Sequence, residues 1–261
     1  MFRPLFALLL CLSLAAVEEI ATPAVAVAPL DADHREFATV LAAVVKPDGV
    51  DYAALTRDHA ALDRYRAQLA AATVPTDRAA RLAFFINAYN AETLALVIAK
   101  LPADTTRWPT WSIKDAGSTF TSVWKGSSFV VGGSRYTLDQ LEHAVLRPLG
   151  EPRIHLAINC ASRSCPPIAA EPYRAATLDA QLETAARGFV ASTYHLRLED
   201  GVLRINPILD WFGDDFKAGG GVRAFLAKRA PAGPVAAYLA TDKPLRFFDY
   251  DWKLNLASAK P

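Results

Sequence analysis

The sequence predicts an α+β fold: a single domain in which a largely antiparallel sheet packs against several helices, one of them long, central and buried. Three observations predict it. Residues 78–100 are apolar on nearly every side of a helix, the pattern of a helix enclosed by protein. Two short apolar stretches are each split by hairpin turn residues, Gly132-Gly133 and Glu199-Asp200-Gly201. Helical and hairpin segments also intermix with no regular βαβ beat, which speaks against a parallel sheet.

Residues 1–26 read as a leader. Met1-Phe-Arg3 is a short positive start, and residues 5–17 form an apolar run too short to span a bilayer comfortably. Small residues that suit cleavage follow at Ala16 and around Ala24 and Ala26. Cys11 after Leu10 is a poor lipidation site, so a secretory signal peptide is expected, with the product periplasmic or secreted. Residues 27–261 are left as the folded domain, and no later stretch is expected to cross a membrane.

Along that domain, residues 30–46 predict a helix capped by Asp31 or Asp33 and ended by Pro47-Asp48-Gly49. An alanine-rich helix over 57–72 stops before Pro75, and Thr76-Asp77 caps the helix 78–100. Residues 108–124, rich in Trp, Ser, Thr and Gly, read as an irregular loop. A hairpin joins 129–131 to 135–137, followed by a helix over 138–146, a strand over 154–159 and a helix over 178–192. A second hairpin joins 195–198 to 202–205. Short helices follow Pro207 and span 222–229, and residues 245–252 read as a closing strand.

Composition bounds the function. A chain of 261 residues with 52% hydrophobic residues can bury a sizeable core, and 21% charged residues exclude a disordered or coiled-coil chain. With 28 Lys and Arg against 27 Asp and Glu, the net charge of +1 gives no field to gather nucleic acid or anionic lipid. The partner is therefore expected to be a small molecule or a peptide.

Three places break local rules. Asn87 and Asn90 sit three apart on the buried helix, where an unpaired carboxamide costs about 1–3 kcal/mol, so both need partners, either an adjacent loop or a substrate. Glu142 falls inside the apolar stripe of Leu138, Leu141 and Val145, beside His143 and Arg147; it either orients a catalytic imidazole or pairs with Arg153 or Arg163. The third is Arg153-Ile-His-Leu-Ala-Ile-Asn-Cys160-Ala-Ser-Arg-Ser-Cys165-Pro-Pro, in which a strand delivers His155 and Asn159 to a loop holding Cys160, Arg163, Ser164 and Cys165.

The two cysteines admit three readings. One thiol is a nucleophile served by His143 or His155; or the pair closes a small disulfide, which export favours; or both thiols join two of His143, His155 and His195 on zinc. The spacing is marginal for zinc, so no metal and no cofactor is expected. Asp210, Asp214 and Asp215 read as a cap and a solvated turn before metal or sugar ligands, His34, His59 and His195 as surface residues, and the five Trp as core before a platform for stacking carbohydrate.

Phe85-Ile-Asn-Ala-Tyr-Asn-Ala91, Leu138-Asp-Gln-Leu-Glu-His143, His155-Leu-Ala-Ile-Asn-Cys-Ala-Ser-Arg-Ser-Cys-Pro166 and Ile208-Leu-Asp-Trp-Phe-Gly-Asp-Asp-Phe216 occur in that order. Together they resemble the family of domain of unknown function 547, over roughly residues 83–216. The resemblance implies that family motifs fall on Asn87, Tyr89, Asn90, Glu142, His143, His155, Asn159, Cys160, Ser164, Cys165, Pro166, Trp211 and Asp215. It also implies both cysteines in relatives without export signals, where a purely stabilising disulfide has no rationale. The expected function is thus an exported thiol-dependent hydrolase or acyl-transfer enzyme. Cys160 would be its nucleophile and Glu142 would orient His143 as base. His155 would stand by and Cys165 would support the nucleophile, while Asn87, Asn90, Asn159, Arg163 and Ser164 would line the substrate site. The competing expectation is a non-enzymatic binding or assembly module shaped by a Cys160–Cys165 bridge.

Overall fold

A computed structural model describes residues 17–21, 28–118 and 121–258. Residues 1–16 and 22–26 of the expected leader lie outside the described residues. The remaining leader residues pack on the domain: β1 (Glu18–Glu19) pairs in parallel with a later strand at Ser127 and Ser128, and Arg66 donates to the carbonyls of Ile20 and Ala21.

Helices dominate, with 51% of residues helical against 13% in strands, which corrects the expected sheet-based α+β class. The chain runs α1 (Arg35–Val44), β2 (Val45–Lys46), β3 (Gly49–Val50), α2 (Tyr52–Arg57), α3 (Ala60–Ala71) and α4 (Arg78–Lys100). It continues with α5 (Val123–Gly126), β4 (Ser127–Val131), β5 (Ser134–Thr137), α6 (Leu138–Gln140) and α7 (Leu178–Ala191). Then come β6 (Leu196–Glu199), β7 (Val202–Ile205), α8 (Ile208–Trp211), α9 (Gly221–Ala227), α10 (Pro234–Leu239) and β8 (Arg246–Phe247). The strands form three small sheets, ordered β1-β4-β5, β2-β3 and β6-β7-β8, with parallel and antiparallel pairs in two of them. Both expected hairpins form, but their strands are too short to build one continuous sheet.

The centre is α4. Asp77 caps it through a 2.9 Å bond from Ala80 N–H, and it is buried from Leu82 to Val97. Its 23 residues and mean hydropathy of 1.5 meet the length and composition of a membrane span, contrary to the expectation that nothing after the leader would. Within this fold 89% of that window is buried in protein. The larger core cluster surrounds α4, and a smaller one joins α7, β6, β7, α9 and α10.

Residues 154–159 are not a strand. Pro152 opens a 3-10 turn, Pro152–Leu156, and the Glu151 side chain caps it by accepting Arg153 N–H at 3.1 Å. The apolar alternation that suggested a strand has another cause: Ile154 anchors in the larger cluster and Leu156 in the smaller. His155 is thereby clamped between the two cores.

The last segment is a strap, not the expected strand over 245–252, of which only β8 is paired as one. Arg163 and Ser164 N–H donate to Lys253 and Asp251 carbonyls, Asn255 N–H to Ala161 O, and Val50 N–H to Asn255 O. Gly49 lets the strap approach, since a Cβ there would stand 2.4 Å from Asn255 O. This strap brings Tyr250 and Trp252 to the cysteine loop.

Candidate functional site

Glu142, His143, His155, Cys160 and Cys165, from three separate segments, line one cavity of about 230 Å³. Tyr89 of α4, Trp124 of α5, Trp211 of α8, Phe212, Tyr250 and Trp252 supply most of its apolar wall.

The cysteine loop begins where Asn90 ends the preceding turn, donating to Ala157 O at 3.0 Å and accepting Asn159 N–H at 2.8 Å. Asn159 holds the loop itself, donating to Pro166 O and accepting from Ala161 N–H. Ala161 has φ of +62°, a left-handed conformation unusual for a residue with a Cβ, directly after Cys160.

The two sulfurs are not bridged, which corrects the expected disulfide: among the described residues no cysteine pair lies within disulfide distance. Cys165 Sγ instead accepts the Cys160 backbone N–H at 3.0 Å. Its S–H also reaches Ile158 O, in a long contact of 3.9 Å. Cys160 Sγ lies 3.1 Å from Ser162 Oγ and 3.3 Å from the Tyr250 hydroxyl. The hydrogen bond from the Cys165 thiol, then those from Ser162 and Tyr250, outweigh burial and bring the Cys160 thiol down to about 7. Burial, with Cys160 beside it, pushes Cys165 well up. The surroundings of Cys160 thus favour its thiolate over that of Cys165.

Neither imidazole hydrogen-bonds either sulfur. His155 is instead bound through Nε2 to Asp215 Oδ2 at 2.7 Å and stacked on Phe212 at 3.9 Å between centroids. Its Nδ1 stands 3.4 Å from Glu142 Oε1 without a hydrogen bond. Glu142 therefore faces His155, not His143, Arg153 or Arg163. His143 is half-exposed, with Nδ1 3.1 Å from an Arg147 nitrogen and Nε2 3.8 Å from Asp139. Arg147 also grips Asp215 with two bonds of 2.7 and 2.8 Å, which with His155 holds that carboxyl at about 2. The helix carrying Glu142 and His143 widens into a π turn at Leu141–Leu146, a distortion that re-aims side chains.

The expected substrate-binding residues stand elsewhere. Asn87 pins the backbone of Tyr173 by one donated and one accepted bond of 2.8 and 2.9 Å. With Asn90 and Asn159 similarly engaged, no carboxamide of the three lines the cavity. Ser164 is buried, accepting Asp251 N–H and lying 3.3 Å from the Tyr194 hydroxyl, and Arg163 lines a different depression beside Asn255.

Sequence reasoning missed Tyr250, Ser162 and the rings of Trp124 and Trp252; Trp211 lies in a motif of the resemblance but reads as core. Ser162 sat within the cysteine loop, whereas Tyr250 carried no signal, because only the strap's folding back brings it near. Asp215 lies in a motif of the resemblance, yet reads locally as a solvated acid. His34 and His195 are buried, contrary to the surface reading, and burial lowers both to about 4. Among the described residues no group of three or more metal-ligating side chains stands together.

Residues 74–190 match a family described as "Protein of unknown function, DUF547". The match takes in both cysteines, Glu142, His143 and His155, and stops short of Trp211, Asp215, Tyr250 and Trp252. No curated protein and no solved structure matches the chain.

Proposed function

We propose that the cavity is the active site of an exported thiol-dependent enzyme, a hydrolase or acyl-transferase, with Cys160 as nucleophile toward a small molecule or a peptide side chain. The observation that carries this reading is the surroundings of Cys160. A sulfur on the cavity wall meets the Cys165 thiol and the Tyr250 hydroxyl, which itself accepts from Ser162 at 2.9 Å, and the residue after it is held in a strained conformation. Such a thiolate needs no imidazole to deprotonate it. It would form a C–S bond to an acyl carbon while the bond to the leaving group breaks, and water would then hydrolyse the thioester. His143, half-exposed on the same wall, is the group placed to pass a proton to the leaving group.

A second reading, a binding pocket without chemistry, is favoured by two observations: neither imidazole hydrogen-bonds a sulfur, and the wall is mostly apolar.

The full chain, incubated with a panel of p-nitrophenyl esters and alkyl thioesters, separates the two. The enzyme reading expects an acyl adduct on Cys160, seen by intact mass and peptide mapping, and turnover lost in Cys160→Ala. Turnover that survives Cys160→Ala, or no adduct with any member of the panel, overturns it. Fractionation of expressing cells tests export, with the mature chain expected outside the cytoplasm and a purely cytoplasmic chain counting against it.

A further inference from the structure

Three of the five tryptophans, taken from the sequence as core, line this one cavity, and they form a connected cluster with a tyrosine. Trp211 stacks on Trp252 with centroids 5.6 Å apart and planes 14° from parallel, and both rings contact Tyr250, at 4.9 and 4.5 Å. Trp124 meets Trp252 edge-on at 5.8 Å. Trp211 keeps 47% of its surface exposed. Stacked indole and phenol rings lining a cavity present negative faces to whatever enters.

The charge in the same cavity points the same way. The Glu142 carboxylate is only 13% exposed, and among the described residues it makes no hydrogen bond. Its neighbour, His155 Nδ1, is buried and also without a hydrogen-bond partner. Asp139, 3.7 Å from Lys125 Nζ, adds a second carboxylate to the wall, while the nearby guanidinium of Arg147 is taken up by Asp215. An anionic ligand would meet two carboxylates, whereas a cationic one would add a partner to Glu142, whose contact with His155 at 3.4 Å is shared with Asp215 at 2.7 Å. The protein itself places an ammonium on this cluster, since Lys114 Nζ lies 4.7 Å over the Trp252 ring.

Resting on the reading of this cavity as the active site, we propose that its ligand carries an organic ammonium group, seated among Trp124, Trp211, Tyr250 and Trp252 with Glu142 as its counter-charge. The reactive part of the ligand then extends toward Cys160.

Tetramethylammonium and choline are the probes, with 3,3-dimethylbutan-1-ol as the uncharged counterpart of choline. Binding to the full chain is followed by tryptophan fluorescence and by protection of Cys160 from iodoacetamide. Saturating choline is expected to change the fluorescence and to slow alkylation about tenfold, and the uncharged alcohol is expected to bind at least about tenfold more weakly. Glu142→Gln should weaken choline about tenfold, and Trp211→Ala, at an exposed ring, should weaken it without affecting folding. Equal binding of choline and the alcohol, or no binding of either cation, overturns the ammonium assignment. If Cys160 still alkylates as a thiolate, the enzyme reading survives that result; if Cys160 alkylates only as an ordinary thiol while choline binds, the enzyme reading fails and the ligand assignment stands.

Discussion

Cys165 Sγ accepts the backbone N–H of Cys160 at 3.0 Å instead of bonding to its sulfur. One thiol thus braces the loop on which the other is presented, and the pair is asymmetric: burial pushes the more enclosed Cys165 up, while hydrogen bonds bring Cys160 down. On the proposed reading this asymmetry makes Cys160 the reactive sulfur, on grounds that spacing alone did not contain.

The Tyr250 hydroxyl is one of the donors at Cys160. Removing it takes away stabilisation of the thiolate and leaves the ring stack in place. Tyr250→Phe should therefore raise the apparent pKa of Cys160 and slow its alkylation at pH 7 about threefold, with the thermal midpoint little changed. Stopped alkylation with mass mapping measures it, and an unchanged rate would remove Tyr250 from the site.

Asn90 satisfies two buried backbone groups at the entry to the cysteine loop, Ala157 O and Asn159 N–H. Asn90→Ala leaves both without partners and should destabilise the fold by about 2–4 kcal/mol, read by urea unfolding. A loss below about 1 kcal/mol would mean that water or a loop shift replaces the carboxamide.

These two residues also show what is legible in a sequence. Asn87 and Asn90 announce themselves, because a carboxamide on an all-apolar helix must find a partner; α4 itself, with Asp77 as cap, and the Gly132-Gly133 and Asp200-Gly201 turns are local in the same sense. The 3-10 turn at Pro152–Leu156 is not, since Ile154 and Leu156 alternate like strand residues while serving two different cores. Strand signals of two to five residues likewise cannot tell three small sheets from one large one. Within the site, Glu142, His155 and the two cysteines stand out as polar groups in apolar surroundings, and their convergence was expected. The pairing of Glu142 with His155, and the approach of Tyr250 and Trp252, depend on the strap and lie beyond local pattern.

Ala161, at φ +62°, adopts a backbone conformation that glycine takes without strain. Ala161→Gly should be stabilising or neutral, within about 1 kcal/mol, despite its added chain entropy in the unfolded state. Ala161→Val, branched at Cβ, should destabilise by more than that. Chemical unfolding of both variants checks the sign, and a destabilising glycine would show that the strain is absent.

His34 and His195 are both lowered to about 4, chiefly by burial. Each therefore binds a proton in the unfolded chain, near pH 6.5, before it does so in the fold. With more protons bound by the unfolded state, stability is full above about pH 6.5 and falls as pH drops toward 4, by up to about 3 kcal/mol per histidine. Urea midpoints across that range should decline. The decline should be smaller in His195→Gln than in the parent chain, and an equal slope would assign the loss to other groups.

The pH dependence of iodoacetamide alkylation, mapped to each cysteine in the native full chain, tests the central claim most directly. The structure predicts one fast cysteine, Cys160, with a midpoint near pH 7, and a protected Cys165. A Cys160 midpoint at or above the ordinary thiol value of about 8.5, or Cys165 reacting first, would contradict it.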